Sequence, residues 1–140
     1  MQHQCSTADL RYLAAFEACE IDGAAFRHRE HLRVAYVLIS RYGVGDAFRH
    51  LKAGLLRLLD HLGAGPDKYH ETMTGAWLLA VDHFMHRADH ASSFDAFIER
   101  NGRLLDASIM HTHYRRETLY SAQAREAFVE PDLDPIPRHG

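Results

Sequence analysis

Helix-ending signals recur along this chain at intervals that suit helices. Runs rich in glycine, some with aspartate, asparagine or proline, interrupt it at Asp22-Gly23, Gly43-Val44-Gly45, Gly63-Ala64-Gly65-Pro66 and Asn101-Gly102. Between these stops apolar residues recur every three or four positions, and the alternating Val, Ile and Thr pattern of strands does not occur. The sequence therefore predicts an all-α protein, a helical bundle of four main helices with short C-terminal helices.

Capping residues and stops divide the chain into seven predicted helices. The four main ones run from a cap at Ser6 or Thr7 to about Glu20, from Arg27 to Tyr42, from a cap at Asp46 to Gly63, and from Asp67 to Arg87. Three short ones run from a cap at Ser92 or Ser93 to Arg100, from Leu104 to Tyr114, and from a cap at Ser121 to Phe128. We expect a single domain over 1–130. Because three of the four prolines follow Glu130, residues 131–140 are expected to be a disordered tail or one draped over the surface.

Composition excludes several functional classes. The 140 residues suit one domain with its own core, and the net charge of −3 argues against a nucleic-acid binder, which normally carries a basic excess. No run of apolar residues is long enough for a transmembrane helix, and the N-terminus does not have the pattern of a secretory signal. We therefore expect a cytoplasmic protein that acts on a small molecule, with neither nucleic acid nor membrane as partner.

The unusual residue is histidine, which occurs twelve times. On the second helix, His28 and His31 share one face with a set of apolar residues, namely Leu32, Ala35, Leu38, Ile39 and Tyr42. Burying an imidazole is costly unless it finds a partner. A metal ion suits two imidazoles three residues apart, because they are neighbours on one face.

The fourth helix adds a third histidine to this set. Helical geometry puts His70 on the same apolar face as Trp77, with Glu71 about 100° further round. We expect His28, His31 and His70 to bind one transition metal ion, which the sequence does not identify as iron, copper or zinc. Glu71 is then the predicted catalytic group, as proton acceptor or fourth ligand. Two alternatives are hydrogen-bonded core histidines and a pH-responsive network.

Residues around this helix start suit a substrate. Lys68 and Tyr69 precede His70, and Thr74 follows one turn later, so these three are the predicted substrate-binding residues. A helix N-terminus also attracts carboxylate or phosphate groups.

The other histidines show no such pattern. His50 and His61 point away from the apolar stripe of the third helix, which predicts solvated side chains, and His3 and His139 lie in the tails. His86 and His90 have the spacing of a helical metal site, close to His83, yet His86 lies opposite the Trp77 face. That placement favours solvent or an interface.

Two segments resemble a group of short uncharacterised bacterial all-α proteins. Residues 26–35 match an F-x-H-x-x-H-L-x-x-A segment, residues 68–74 match a K-Y-H-E-T-x-T segment, and the stretch from Tyr120 to Asp132 is similar to that group's C-terminal end. The resemblance implies that His28, His31, His70 and Glu71 belong to one site. It implies no particular activity.

These observations lead to two hypotheses of different classes. The first is a metal-binding helical bundle with a mononuclear histidine-rich site, a small metalloenzyme of oxygen chemistry or of metal-assisted hydrolysis or lyase chemistry. The second is a non-catalytic module that binds a metal, a ligand or a partner protein, as a sensor or a store. The fourth helix is apolar on most sides, which predicts either a central position or a homodimer interface.

Overall fold

The computed structural model describes residues 2–139, and Met1 and Gly140 lie outside the described residues. Four long helices come first: α1 (Thr7–Glu17), α2 (His28–Tyr42), α3 (Val44–His61) and α4 (Glu71–Arg87). Three short ones follow, α5 (Phe94–Arg100), α6 (Arg116–Leu119) and α7 (Ala122–Glu126), with 3-10 turns at Gly23–Ala25, Pro66–Lys68, Gly102–Leu105 and Ala107–Thr112. No strand occurs within residues 2–139, so the predicted all-α class is confirmed.

The helices α2 and α3 pack against each other, and α1 and α4 each pack against both of them. The main core lies among these helices and includes Phe16, Leu32, Tyr36 and Leu38, all of which are fully buried. Phe16 of α1 packs directly over Gly54 of α3, where any Cβ atom would overlap its ring. The glycine therefore allows α1 and α3 to approach closely.

Two of the predicted helix boundaries are displaced. The first helix ends at Glu17 rather than near Glu20, because Cys19 takes the left-handed conformation with φ 58° and ends the helix. The third begins at Val44 instead of after Asp46, since Gly43 alone, with φ 81°, links it to α2. The predicted sixth helix is also wrong over 104–112, because 3-10 turns occupy that segment.

The start of α4 matters most for function. A 3-10 turn covers Pro66–Lys68, and α4 begins only at Glu71. His70 is the N-cap residue, and its Nδ1 accepts a hydrogen bond of 3.0 Å from the backbone N–H of Met73. The prediction that the helix opens at Asp67 is therefore wrong, and His70 lies before the helix instead of on one of its faces.

The C-terminal third covers the outer side of α4 with a second, smaller core. Ala76 of α4 is buried there with Met110, Tyr114, Leu119 and Ile136, and Leu79 packs against this cluster. Covering on this side explains why α4 is apolar on most sides, as the central alternative requires. The homodimer stays a prediction.

The C-terminal segment is draped over the surface, one of the two expected arrangements, and is not a disordered tail. Residues 131–139 pack against the short helices, where Ile136 is 5% exposed and the Leu133 N–H donates to the His113 carbonyl over 2.9 Å. The buried Ile136 and several hydrogen bonds to the backbone thus hold residues 131–139 in position, although the composition of this segment suggests no defined structure.

Within residues 2–139 no helix combines the length and apolar character needed to cross a membrane.

Candidate functional site

A cavity of about 510 Å³ lies where α2, α3 and the start of α4 meet. Its walls are mostly apolar, and the apolar lining comprises Phe26, Leu32, Ala35, Leu51, Leu55, Leu58, Leu59, Leu62, Met73, Trp77 and Leu78. All three histidines of the predicted site, His28, His31 and His70, also line it. The structure thus brings His28 and His31 of α2 to one cavity with His70, and their role as ligands of one ion stays a prediction.

His28 is held by the C-terminal part of the chain. Its Nε2 lies 2.8 Å from the carbonyl oxygen of Leu104, and its ring meets the Trp77 ring edge-on at 4.5 Å between centroids. A carbonyl oxygen accepts hydrogen bonds, so Nε2 carries the proton. In the neutral ring Nδ1 then keeps a free lone pair, which is available to a ligand or an ion.

His31 lies one turn further along α2, with its ring 4.1 Å from that of Phe26 between centroids. Within residues 2–139 neither of its ring nitrogens has a hydrogen-bond partner. The side chain is exposed, but its exposed part opens on the cavity and the rest is enclosed by protein. Desolvation, and to a lesser extent the neighbouring His28, lowers the pKa of His31 to about 4. His31 is therefore a neutral imidazole at neutral pH.

His70 uses both ring nitrogens within the protein. Nδ1 accepts the hydrogen bond from the Met73 N–H, and Nε2 donates to the carbonyl of Leu119 over 2.8 Å. Burial lowers the pKa of His70, which favours this neutral form. The ring thus caps α4 and ties it to the C-terminal layer. To bind an ion, it would have to give up one of these two hydrogen bonds.

Glu71 is not among the residues that line the cavity. Its Oε1 lies 3.0 Å from Lys52 Nζ and accepts a hydrogen bond of 2.9 Å from the Tyr69 hydroxyl. The Tyr69 hydroxyl therefore helps to hold this carboxylate, which the structure brings to Lys52 and not to the histidines. Its role as a base or fourth ligand stays a prediction.

The three predicted substrate-binding residues, Lys68, Tyr69 and Thr74, all line the cavity. Lys68 is exposed at its opening, whereas Tyr69 and Thr74 are half-buried. Burial raises the pKa of the Tyr69 hydroxyl, which keeps that group protonated. Arg27, which is not among the predicted site residues, also lines the cavity.

A metal centre is not formed by the side chains as they stand. Within residues 2–139 no group of three or more His, Cys, Asp or Glu side chains has a geometry that could hold an ion. The hydrogen bonds of His70 account for this, since they leave His28 and His31 as the two histidines of the set with uncommitted nitrogens. The three-histidine site therefore stays a prediction.

A second histidine cluster lies at the other end of α4. His83 Nδ1 is 2.8 Å from His139 Nε2, and the ring of His139 stacks on that of His86 at 4.3 Å and 7°. Asp82 beneath them is 2% exposed, with its Oδ2 unpartnered within the described residues, and burial raises its pKa. His90 is exposed and does not join the stack. The tail histidine was missed because its partners are more than fifty residues away.

No family model, no curated protein and no solved structure significantly matches this chain. The resemblance to short bacterial proteins accordingly stays a prediction, and the argument about function depends on the cavity itself.

Proposed function

We propose that this protein binds a small organic molecule in the cavity between α2, α3 and α4. The observation that carries the proposal is the cavity itself, about 510 Å³ in volume, with apolar walls and a few polar groups at defined positions. Cavities of this size and composition are the usual binding sites of small molecules and cofactors. A ligand-binding module is thus the better supported of the two classes of function.

Two imidazoles supply the polar contacts in this proposal. His28 offers the lone pair of Nδ1, because its Nε2–H is used by Leu104. His31 is neutral, so either of its nitrogens can donate and the other accept. The apolar walls then contribute most of the affinity through burial of the ligand's surface, while the two rings select its orientation.

A tryptophan inserted into the cavity tests the proposal. Leu59 lines the cavity, whereas Leu56, three residues earlier on α3 and also half-buried, does not. We expect Leu59→Trp to abolish binding and Leu56→Trp to leave it unchanged. Compounds are found by the rise in melting temperature of the parent protein across a panel of small organic molecules, since a ligand of the folded state stabilises it. Binding that survives in Leu59→Trp would contradict a ligand in this cavity.

A metal ion at His28 and His31 is the second candidate, and with it the small metalloenzyme. The observation in its favour is that both residues line one cavity and keep uncommitted ring nitrogens. Imidazole suits iron, copper and zinc alike, and a bound ion would supply Lewis-acid or redox chemistry. Thr74 and Tyr69 would then contact the substrate, and Glu71 would move protons.

Metal analysis separates this candidate from the first. We expect protein purified without chelator or affinity tag to contain a stoichiometric transition metal if the candidate is right. The double substitution His28→Ala and His31→Ala should remove it, while His50→Ala and His61→Ala, both at exposed positions, should not. Less than about a tenth of an equivalent, with no uptake on titration, rejects the metal. If metal is present, Glu71→Gln should keep it and lose turnover in an enzyme.

A further inference from the structure

Apart from the protonated Tyr69 hydroxyl, the ionisable side chains that line the cavity are all of the basic type. They are Arg27, His28, His31, Lys68 and His70, and neither aspartate nor glutamate is among the lining residues. This is unexpected in a chain whose acidic residues outnumber Lys and Arg by 19 to 16. The lining therefore carries the permanent positive charges of Arg27 and Lys68 and no carboxylate.

Arg27 and Lys68 supply the permanent positive charge. Both are exposed, and neither forms an ion pair with a carboxylate of residues 2–139. Other cations nearby are neutralised: Lys52 pairs with Glu71 over 3.0 Å, and Arg29 with Asp95 over 2.7 Å. The cavity opening thus presents two uncompensated cations above an apolar interior.

The position of the two cations follows from the fold. Arg27 immediately precedes α2, and Lys68 ends the 3-10 turn that leads into α4. Helices begin at both places, and a helix N-terminus adds partial positive charge of the same sign. Leu62, 50% exposed, also lines the cavity, whereas the lining residues Leu51, Leu58 and Leu78 are buried.

We propose that the ligand of this cavity is an amphipathic organic acid, whose anionic group is held by Arg27 and Lys68 and whose apolar body enters between α2, α3 and α4. This inference depends on the proposed ligand-binding function and adds the class of ligand. Arginine presents a planar fork of donors that matches a carboxylate or phosphate, and lysine adds a point charge. The leucines of α3 and Trp77 then bury the apolar body.

Neutral His31 lines the same cavity as Arg27 and Lys68. A charged imidazole at that position would be costly next to Phe26, whereas the neutral ring can donate one hydrogen bond to the acid or to a polar group near it. The cavity should therefore select ligands with an acidic group at one end only, because its buried lining residues carry no charge that could hold a second acidic group.

The test uses three probes with the same apolar chain and different head groups: octanoate, octanol and octylamine. We expect the parent protein to bind octanoate about tenfold more tightly than octanol, since hydrogen bonds to charged groups are roughly twice as strong as neutral ones. Octylamine should bind more weakly still, because like charges repel. A further titration with octyl phosphate shows whether the cavity prefers a phosphate or a carboxylate group. Affinities are measured by isothermal titration calorimetry at low salt.

Charge variants then locate the anion. Arg27→Gln and Lys68→Gln should each weaken octanoate binding about fivefold and leave octanol binding unchanged, because both side chains are exposed and contribute little to folding. Arg11→Gln on α1, an exposed arginine distant from the cavity lining, is the matched control and should have no effect. The double variant Arg27→Glu and Lys68→Glu should prefer octylamine to octanoate.

The outcomes separate the cavity, the class of ligand and the roles of the two cations. Equal binding of octanoate and octanol, blocked by Leu59→Trp, would leave the cavity as a binding site and overturn the organic acid. Octanoate binding that ignores both glutamine substitutions would overturn the roles of Arg27 and Lys68. A parent protein that binds none of the probes up to millimolar concentration would overturn the amphipathic organic acid, while the compound panel with Leu59→Trp decides the proposed function separately.

Discussion

The two ends of α4 carry two groups of histidines that are organised in opposite ways. At the N-terminal end, His70 and the α2 residues His28 and His31 surround a cavity, and His28 and His70 bond to backbone carbonyls of distant segments. At the C-terminal end, His83, His86 and His139 contact one another, with two of the rings stacked at 4.3 Å. Rings bonded to distant backbone segments stay apart, whereas the C-terminal rings stack directly on one another.

The comparison shows why a count of histidines is a poor guide to function. Both groups contain histidines three residues apart on a helix, and in the C-terminal one two ring nitrogens lie 2.8 Å apart. Both also border a cavity, but the lining of the N-terminal one is mostly apolar and includes Arg27 and Lys68, whereas the C-terminal one, about 500 Å³ in volume, is lined by Asp46 and Asp82 beside His86 and His139. What distinguishes a candidate binding site is the space and charge around the histidines.

The largest expected effect concerns the segment that carries His139. Ile136 is 5% exposed, so Ile136→Ala should reduce the free energy of unfolding by about 3 kcal/mol through lost burial and a residual void. Leu133→Ala in the same segment is the control, since Leu133 is 40% exposed and should cost less than about 0.5 kcal/mol. Urea unfolding measures both. Equal, small losses would mean that residues 131–139 do not pack as described.

The next largest loss of stability is expected on replacing His70, because its ring links the start of α4 to the C-terminal layer. His70→Ala removes the N-cap of α4 and leaves the Leu119 carbonyl without its donor, which should cost about 2 kcal/mol. His70→Asn keeps a capping side chain and should recover about half of that loss. Replacing the exposed His61 by alanine serves as control. If His70→Ala is as stable as that control, the ring is free to bind a ligand or an ion.

The pH dependence of the free energy of unfolding tests whether His31 is neutral in the folded state. The pKa of His31 is about 4 in the folded state and about 6.5 when unfolded, so the unfolded state binds more protons between these values. Stability should therefore fall as the pH decreases from about 6.5 to about 4. Because the open side of the ring is solvated, we expect this loss of stability to be about 1 kcal/mol, well below the free energy that corresponds to the full difference in pKa.

The variant His31→Phe should remove this part of the pH dependence, whereas His50→Phe at an exposed position should not. His70 and His83 also have lowered pKa values, so a smaller slope of the same sign should remain. Unfolding in urea at a series of pH values gives the slopes. An identical slope in the His31→Phe protein would mean that His31 is charged in the folded state.

The smallest effect is expected for the stack itself. His139→Ala should cost about 0.5 kcal/mol, because the residue is half-buried at the chain end and its contacts are to other imidazoles. A double-mutant cycle with His83→Ala isolates the contribution of the 2.8 Å contact. A coupling above about 2 kcal/mol would contradict a stack held together only by weak contacts between the rings.

Local patterns accounted for much of the fold. The stops at Gly43 and at Gly63 to Pro66 and the caps at Ser93 and Ser121 are near-neighbour effects, and the helices they delimit are found close to the predicted places. The three-residue spacing of His28 and His31 likewise placed both on one face of α2, because helical geometry alone decides that. Cys19 shows the limit, since nothing in its neighbours signals its left-handed conformation.

The amino-acid sequence by itself determined that this chain forms helices, where most of them stop, and which face of α2 turns inward, because hydrophobic periodicity and capping act over a few residues. Only the tertiary structure decided that His70 caps α4 and bonds to Leu119, that Glu71 pairs with Lys52, and that Arg27 and Lys68 line one cavity. Those contacts join residues that are close in space and distant in the chain. They depend on how the helices pack, and helical periodicity carries no information about packing partners.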